Sequence, residues 1–244
     1  MNQAKAMNTV GLRNPLGATR VVSSLERELH EQGLSVSTHD DLRQLAALKQ
    51  SVRQETVAPY FDQSVNNTQG NRFFWMQLLD EQGQTVGLQA FRLDNVNSSL
   101  ADWGPTYTIG LYMRRQEVLV PLLASPPSGS ISEQIRGNLV YHGELWIDRK
   151  VKARRVVEVF GRLGMLLALL RWNPDAIWAL ASQTMATRGH LNRMGFSYIE
   201  RGFFSWQWGP EGADDVEWIA IAERRGLEQL IEEMLITPQQ YQLA

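Results

Sequence analysis

The chain has 244 residues, 43% hydrophobic and 20% charged, with 24 Lys+Arg against 26 Asp+Glu. This is the composition of a folded globular protein, and it excludes collagen-like, low-complexity and disordered classes. There is no cysteine, which excludes disulfide scaffolds, thiolate metal centres and thiol nucleophiles and is compatible with a cytoplasmic location; the net charge of -2 argues against a general nucleic-acid binder.

Residues 1–20 lack periodicity and contain Gly11, Pro15 and Gly17, so a flexible arm is expected, followed by a short helix over Ser23–Gln32 ending at Gly33. The expected domain division is this arm and helix over 1–33, then a single domain over 34–244. Leu34–Thr38 alternates as a short strand. Thr38 or Asp40 then caps a helix carrying Leu42, Leu45, Leu48 and Val52. Arg72–Leu79 and Thr85–Leu93 flank the polar turn Asp80–Gln84, the pattern of an antiparallel hairpin. Residues 94–137 read as irregular, with a short helix near Gly110–Val118.

Leu139–Asp148 reads as a strand with His142, Glu144 and Trp146 on one face. A basic run follows: Arg149–Arg155 holds five cations in seven residues. The wider segment 136–193 carries ten basic and four acidic side chains, so it is +6 and the remainder -8. The basic run precedes an apolar helix, Val156–Arg171, where cations oppose the helix dipole unless an anion sits among them. That helix, the most apolar stretch, is too short and too often interrupted by charge to span a bilayer. Ala176–Ala181 reads as a buried strand and Thr184–Met194 as a helix closed by Gly195. Phe196–Trp208 and Val216–Ala222 read as strands, and Gly226–Leu235 as an acidic amphipathic helix. The fold class is α/β (α+β). The four histidines show no metal-ligand spacing, so no metal site is expected.

Four of these pieces together resemble the GCN5-related N-acetyltransferase (GNAT) superfamily. The hairpin Phe73–Leu93 resembles its second and third strands. Glu144-Leu145-Trp146-Ile147-Asp148 and the basic turn resemble its fourth strand and phosphate loop. Ala176–Ala181 resembles its fifth strand, and His190–Phe196, with its Gly-Phe ending, resembles its closing segment. The likeness spans about residues 34–222. It implies a mixed central sheet flanked by helices and an N-acyltransferase moving an acyl group from a thioester to a small-molecule amine. No permanently bound cofactor is implied; acyl-CoA or an acyl-phosphopantetheine is the co-substrate. By this resemblance Glu144 is the candidate general base, with His142 as a second catalytic candidate. The backbone of Ile147 holds the thioester carbonyl, and Lys152, Arg154, Arg155 and Val156 meet the donor's phosphates. Apart from the resemblance, the eight tryptophans fall mostly in strands or helices, where core packing is the default, and Trp146, Trp103 and Trp206 are the candidates to line an acyl or aromatic pocket. Asp148 caps the loop.

The sequence departs from the family pattern in two places. Arg155 and Val157 stand where the phosphate loop has small residues, and Leu191 stands where a tyrosine proton donor is frequent; His190 and Tyr198 are the nearby substitutes. N-acyl amino acid synthases and acyl-homoserine-lactone synthases tolerate a poor glycine loop and draw on acyl carrier protein, an acidic partner that suits a basic bend. The alternative from another class is a GNAT-like binding or regulatory module without catalysis. RNA binding through the basic bend is the third, and no nucleic-acid partner is expected.

Overall fold

A computed structural model describes residues 11–66, 71–117, 120–123, 126–210 and 213–236. Seven helices and eight strands are assigned among these residues. The first helix, α1 (Pro15–His30), starts earlier than expected. The Asn14 side chain accepts the Gly17 N–H at 2.8 Å, and Pro15 occupies the first helical position, where its missing N–H costs nothing. Ala18, Val21, Leu25 and Leu29 recur at helical spacing and are buried, so this segment belongs to the core and is no arm over 15–30. Residues 1–10 of the expected arm lie outside the described residues.

Next come β1 (Ser35–His39) and α2 (Leu42–Arg53), the latter capped by Asp41 rather than by Thr38 or Asp40. The hairpin forms as β2 (Phe73–Leu79) and β3 (Thr85–Val96). The stretch expected to be irregular instead contains α3 (Leu100–Arg114) and a short strand, β4 (Val120–Leu123). The Ser99 side chain caps α3, and Pro105 lies inside it, removing one backbone bond without stopping the helix. The remainder is β5 (Gly137–Ile147), α4 (Val156–Trp172), β6 (Ala176–Ala181), α5 (Gln183–Thr187), α6 (His190–Met194), β7 (Tyr198–Trp208), β8 (Val216–Glu223) and α7 (Arg224–Ile236). The single helix expected over 184–194 is two, broken at Gly189, whose φ of 71° is left-handed.

One eight-stranded sheet runs in the order β1-β2-β3-β5-β6-β8-β7-β4. Every neighbouring pair is antiparallel except β5 and β6, which are parallel. The architecture is thus the mixed α/β sheet flanked by helices that the resemblance implies. One core packs α1, α4, α6 and α7 on one face; the other packs α2 and α3 on the opposite face. Helix α4 is apolar on nearly all sides because it is buried between α1 and the sheet. At Gly164 a Cβ would lie 2.5 Å from the Phe91 ring, so glycine lets α4 sit close against β3. No helix among the described residues is long and apolar enough to cross a membrane.

Candidate active site

The pairing of β5 with β6 lasts only from Leu139–Tyr141 against Ala176–Trp178. Beyond that point both strands continue, β5 to Ile147 and β6 to Ala181, without bonding to each other. The sheet therefore opens into a wedge. A cavity of about 320 Å³ fills it, lined by residues 142–146 of β5 and 179–182 at the end of β6. Its walls draw on both cores: Leu191, Met194 and Phe196 on the α4 face, Leu88, Tyr141 and Leu180 on the α2 face. The opening thus passes through the sheet.

A bulge in β5 shapes this wedge. Ala90 faces Gly143 and Leu88 faces Trp146, so Gln89 alone opposes Glu144 and Leu145. Glu144 takes φ 59°, a left-handed conformation unusual for a side chain other than glycine. The extra residue reverses the alternation of faces. Val140 packs into the α4-side core and Tyr141 into the α2-side core, whereas after the bulge Leu145 and Ile147 join the α4 side and Trp146 the α2 side. His142 and Glu144 consequently lie on opposite faces, which corrects the expectation that they share one.

On the α2 face, Glu144 is nearly inaccessible, with 2% of its side chain exposed. It accepts the Ala58 N–H at 2.5 Å and pairs with Lys49 Nζ at 2.6 Å. Arg53, one turn beyond Lys49 on α2, lies 5.5 Å over the Trp146 ring. Gln54 closes α2 in a left-handed conformation, and a 3-10 turn at Pro59–Phe61 then stacks Tyr60 on Tyr141 at 3.9 Å. Burial pushes both phenols well above their ordinary pKa of 10, so they remain protonated.

On the α4 face, His142 is stacked on Phe91 at 4.3 Å, with Phe196 6.3 Å away and nearly parallel. It is 3% exposed, and its Nε2 finds no hydrogen-bond partner. Burial pushes its pKa down to about 3, so the ring is neutral at physiological pH. The Ile147 side chain packs against the α4-side core. Asp148 donates its N–H to Val86 O at 2.8 Å, which makes Val86/Asp148 a bonded pair. In an antiparallel ladder bonded and non-bonded pairs alternate. Ile147, opposite Gly87, is therefore in a non-bonded pair, and its N–H points away from β3, to the side on which β6 lies.

The basic bend begins three residues beyond Trp146, at Arg149. Asp148 organises it: its carboxylate accepts the Lys150 N–H at 2.8 Å and its carbonyl the Val151 N–H at 3.0 Å. The Arg154 N–H is bound by Gln32 at 2.6 Å. Arg155 caps α4 with φ 56°, taking a glycine-like conformation at the position where the family pattern has glycine. Its Nη1 is buried without a partner, while Val156 is buried in the core. Lys150, Lys152 and Arg154 line a neighbouring hollow of about 850 Å³ that also holds Asp80 and Glu81. These cations do not line the wedge itself.

The structure thus gathers Glu144, His142 and Trp146 around the wedge. It places Trp103 against Tyr107 at 4.5 Å and Trp206 in a bond to Glu217 at 2.6 Å, neither of them lining the wedge. Leu191 lines it, but His190 is bound to Glu158 at 2.9 Å outside it and Tyr198 is exposed. Sequence reading missed Lys49, Arg53 and Ala58. The first two are four residues apart on one helix face, a visible pairing, but which strand that face meets depends on the tertiary fold. It also missed Glu217, whose carboxyl burial raises to about 7.

No family model matches this chain, and none of the curated proteins does. Among solved structures it is similar to FeeM, an N-acyl amino acid synthase from uncultured soil microbes: identity is 11%, coverage 82% of this chain and 98% of that one, and TM-score 0.44. A spermidine N-acetyltransferase SpeG chimera from Vibrio cholerae and hSSAT shares 10% identity over 81% of this chain and 99% of that one, with TM-score 0.47. Arabidopsis thaliana NAA60 in complex with acetyl-CoA shares 14% over 78% and 98%, with TM-score 0.44.

Proposed function

We propose that this chain is a divergent GNAT-type N-acyltransferase that moves an acyl group from a thioester arm, carried by CoA or an acyl carrier protein, to an amine. The observation that carries this reading is the wedge between β5 and β6, which passes through the sheet and presents different chemistry on each face. Two reactants can enter from opposite faces and meet inside it. On the apolar α4 face an extended thioester arm lies along two strand edges that do not bond to each other. On the α2 face an amine meets Glu144.

The chemistry follows from these positions. The Ile147 N–H, turned away from β3, donates to the thioester carbonyl and to the oxyanion that develops there. The amine nitrogen attacks the carbonyl carbon, a C–N bond forms, the C–S bond breaks, and the thiolate leaves. Glu144 takes the amine's proton, directly or through a water. The Lys49 ammonium on Glu144 marks a carboxylate shaped for an ammonium group. No side chain at Leu191 can protonate the leaving sulfur, and a thiol of pKa about 8.5 departs as thiolate near neutral pH at modest cost. In the bend, Lys152, Arg154 and Arg155 meet the phosphates of the arm, with Val156 at the helix start.

A thermal-shift series with acetyl-CoA, a long-chain acyl-CoA and acylated carrier protein tests this reading. It predicts stabilisation by at least one donor, lost in the Lys152→Ala/Arg154→Ala/Arg155→Ala variant. No shift with any donor, from a folded protein, contradicts it. The second reading, a module without catalysis, is favoured by the occupation of both Glu144 oxygens. It predicts donor binding with no amine acylated across an acceptor panel.

A further inference from the structure

We infer that His142 is a binding residue of the wedge, offering its Nε2 to a carbonyl-bearing group, an amide or the thioester itself, of the acyl donor. This rests on the transferase reading and gives a role to a group that the reaction sketched above leaves unused.

Buried polar atoms in folded proteins nearly always have a partner, and an orphan calls for an explanation. The His142 Nε2 is such an orphan in a residue only 3% exposed. Its ring cannot swing out to find water, because Phe91 is stacked on it at 4.3 Å and 12°, and Phe196 lies in nearly the same orientation, 10° from parallel. His142 is among the residues that line the wedge, just past Tyr141, the last β5 residue paired with β6. Around it the wedge wall is apolar: Leu191, Met194, Phe196 and Ala179. A partner for Nε2 therefore has to arrive with whatever enters.

The chemistry of that partner is constrained. The imidazole is neutral in this setting, so it seeks no counter-ion, and a carboxylate or phosphate would be desolvated there without compensation. A neutral imidazole offers either one N–H or one lone pair at Nε2. An amide answers both tautomers, through its carbonyl or its N–H, and a thioester carbonyl answers the N–H form. The stacking fixes the ring before binding, so little ordering cost is left to offset the bond.

Calorimetric titration of wild type, His142→Phe and His142→Gln with two CoA derivatives separates the sources. A non-transferring acyl-CoA, titrated without amine, carries the arm amides and the thioester; an S-alkyl-CoA carries the amides alone. His142→Phe is expected to weaken acyl-CoA binding about tenfold, and His142→Gln, which restores a polar atom, to recover most of that loss. If S-alkyl-CoA shows the same loss, the partner is an arm amide; if only acyl-CoA shows it, the partner is the thioester carbonyl. Unfolding of ligand-free His142→Phe is expected at or above the wild-type temperature, because an orphan polar atom is removed from between aromatic neighbours. Unchanged affinity of His142→Phe for both derivatives, with wild type binding them, overturns the inference and leaves the transferase reading standing. Failure of folded wild type to bind either derivative, and acylated carrier protein as well, defeats the transferase reading itself. If His142→Phe does not fold, His142→Gln and His142→Leu are compared: equal affinity in the two overturns the inference, and weaker binding by the Leu variant supports it.

Discussion

Glu144 pays for its position in backbone conformation. At φ 59° a Cβ-bearing residue is strained by about 1 kcal/mol or more relative to glycine, and the ion pair to Lys49 and the Ala58 N–H hold it there. Replacing Glu144 by Ala or by Gly removes the same carboxylate, but only Gly relaxes the backbone. Chemical denaturation is expected to find Glu144→Gly more stable than Glu144→Ala by about 1 kcal/mol; equal stability would contradict the left-handed assignment. His142 gives a second test at this scale. Its folded pKa of about 3 lies below the ordinary value of 6.5, so between those pH values the unfolded chain binds a proton that the folded chain does not. Stability from this group is present above pH 6.5 and lost as pH falls toward 3, by at most about 1.4 kcal/mol per pH unit. His142→Phe removes that term, and its stability is expected to fall less steeply with acid over this window. Glu144 was legible as a candidate through the family resemblance of its strand. The bulge was not, because Gly143-Glu144-Leu145 reads as plain alternation, and one extra residue moved His142 to the other face.

Among the elements, those with strong local patterns were the legible ones. Ala176–Ala181 forms β6 with the bounds its apolar run suggests, and α4 begins at Val156 as expected. Helix α1 was half missed. Gly17 and Pro15 read as breakers, yet Pro15 sits at the first helical position, and Gly17 lies where the Asn14 side chain closes over the helix start. Asn14→Ala is expected to cost about 1 kcal/mol of stability, measured by denaturant titration; no cost would return this segment to the status of a loose arm. Helix α3 was missed for a related reason, since Gly104-Pro105 reads as a break while Ser99 and the buried Leu100, Thr108 and Leu111 hold the helix through it. The basic bend was legible as an anion candidate, and Arg155 does adopt the glycine-like turn. That Lys152 and Arg154 face a hollow with Asp80 and Glu81 depends on where the β2–β3 turn folds back, which no local pattern carries.

For the whole molecule, charge segregation is the property with functional weight. A segment of +6 within a chain of net -2 gathers five cations in the bend that follows β5 and leaves the rest of the chain acidic. An acidic carrier protein docking there would be drawn by many exposed charges, a CoA by its few phosphates. Carrier-protein affinity is therefore expected to fall more steeply than CoA affinity as ionic strength rises. Binding that is indifferent to salt would exclude the bend as a docking surface. Fold class followed from the sequence because periodicity marks the elements and the resemblance implies a mixed sheet flanked by helices. The opening between β5 and β6 did not, since it depends on where two strands stop pairing.

In the proposed reaction this opening receives a thioester arm. Backbone amide exchange, followed with and without a non-transferring acyl-CoA or its carrier-protein equivalent, reads the opening at single-segment resolution. The account predicts slower exchange on donor binding in residues 145–147 of β5 and 179–182 at the end of β6, while the paired segments 139–141 and 176–178 stay unchanged. Unaltered exchange in the open segments, with a donor demonstrably bound elsewhere, would contradict it.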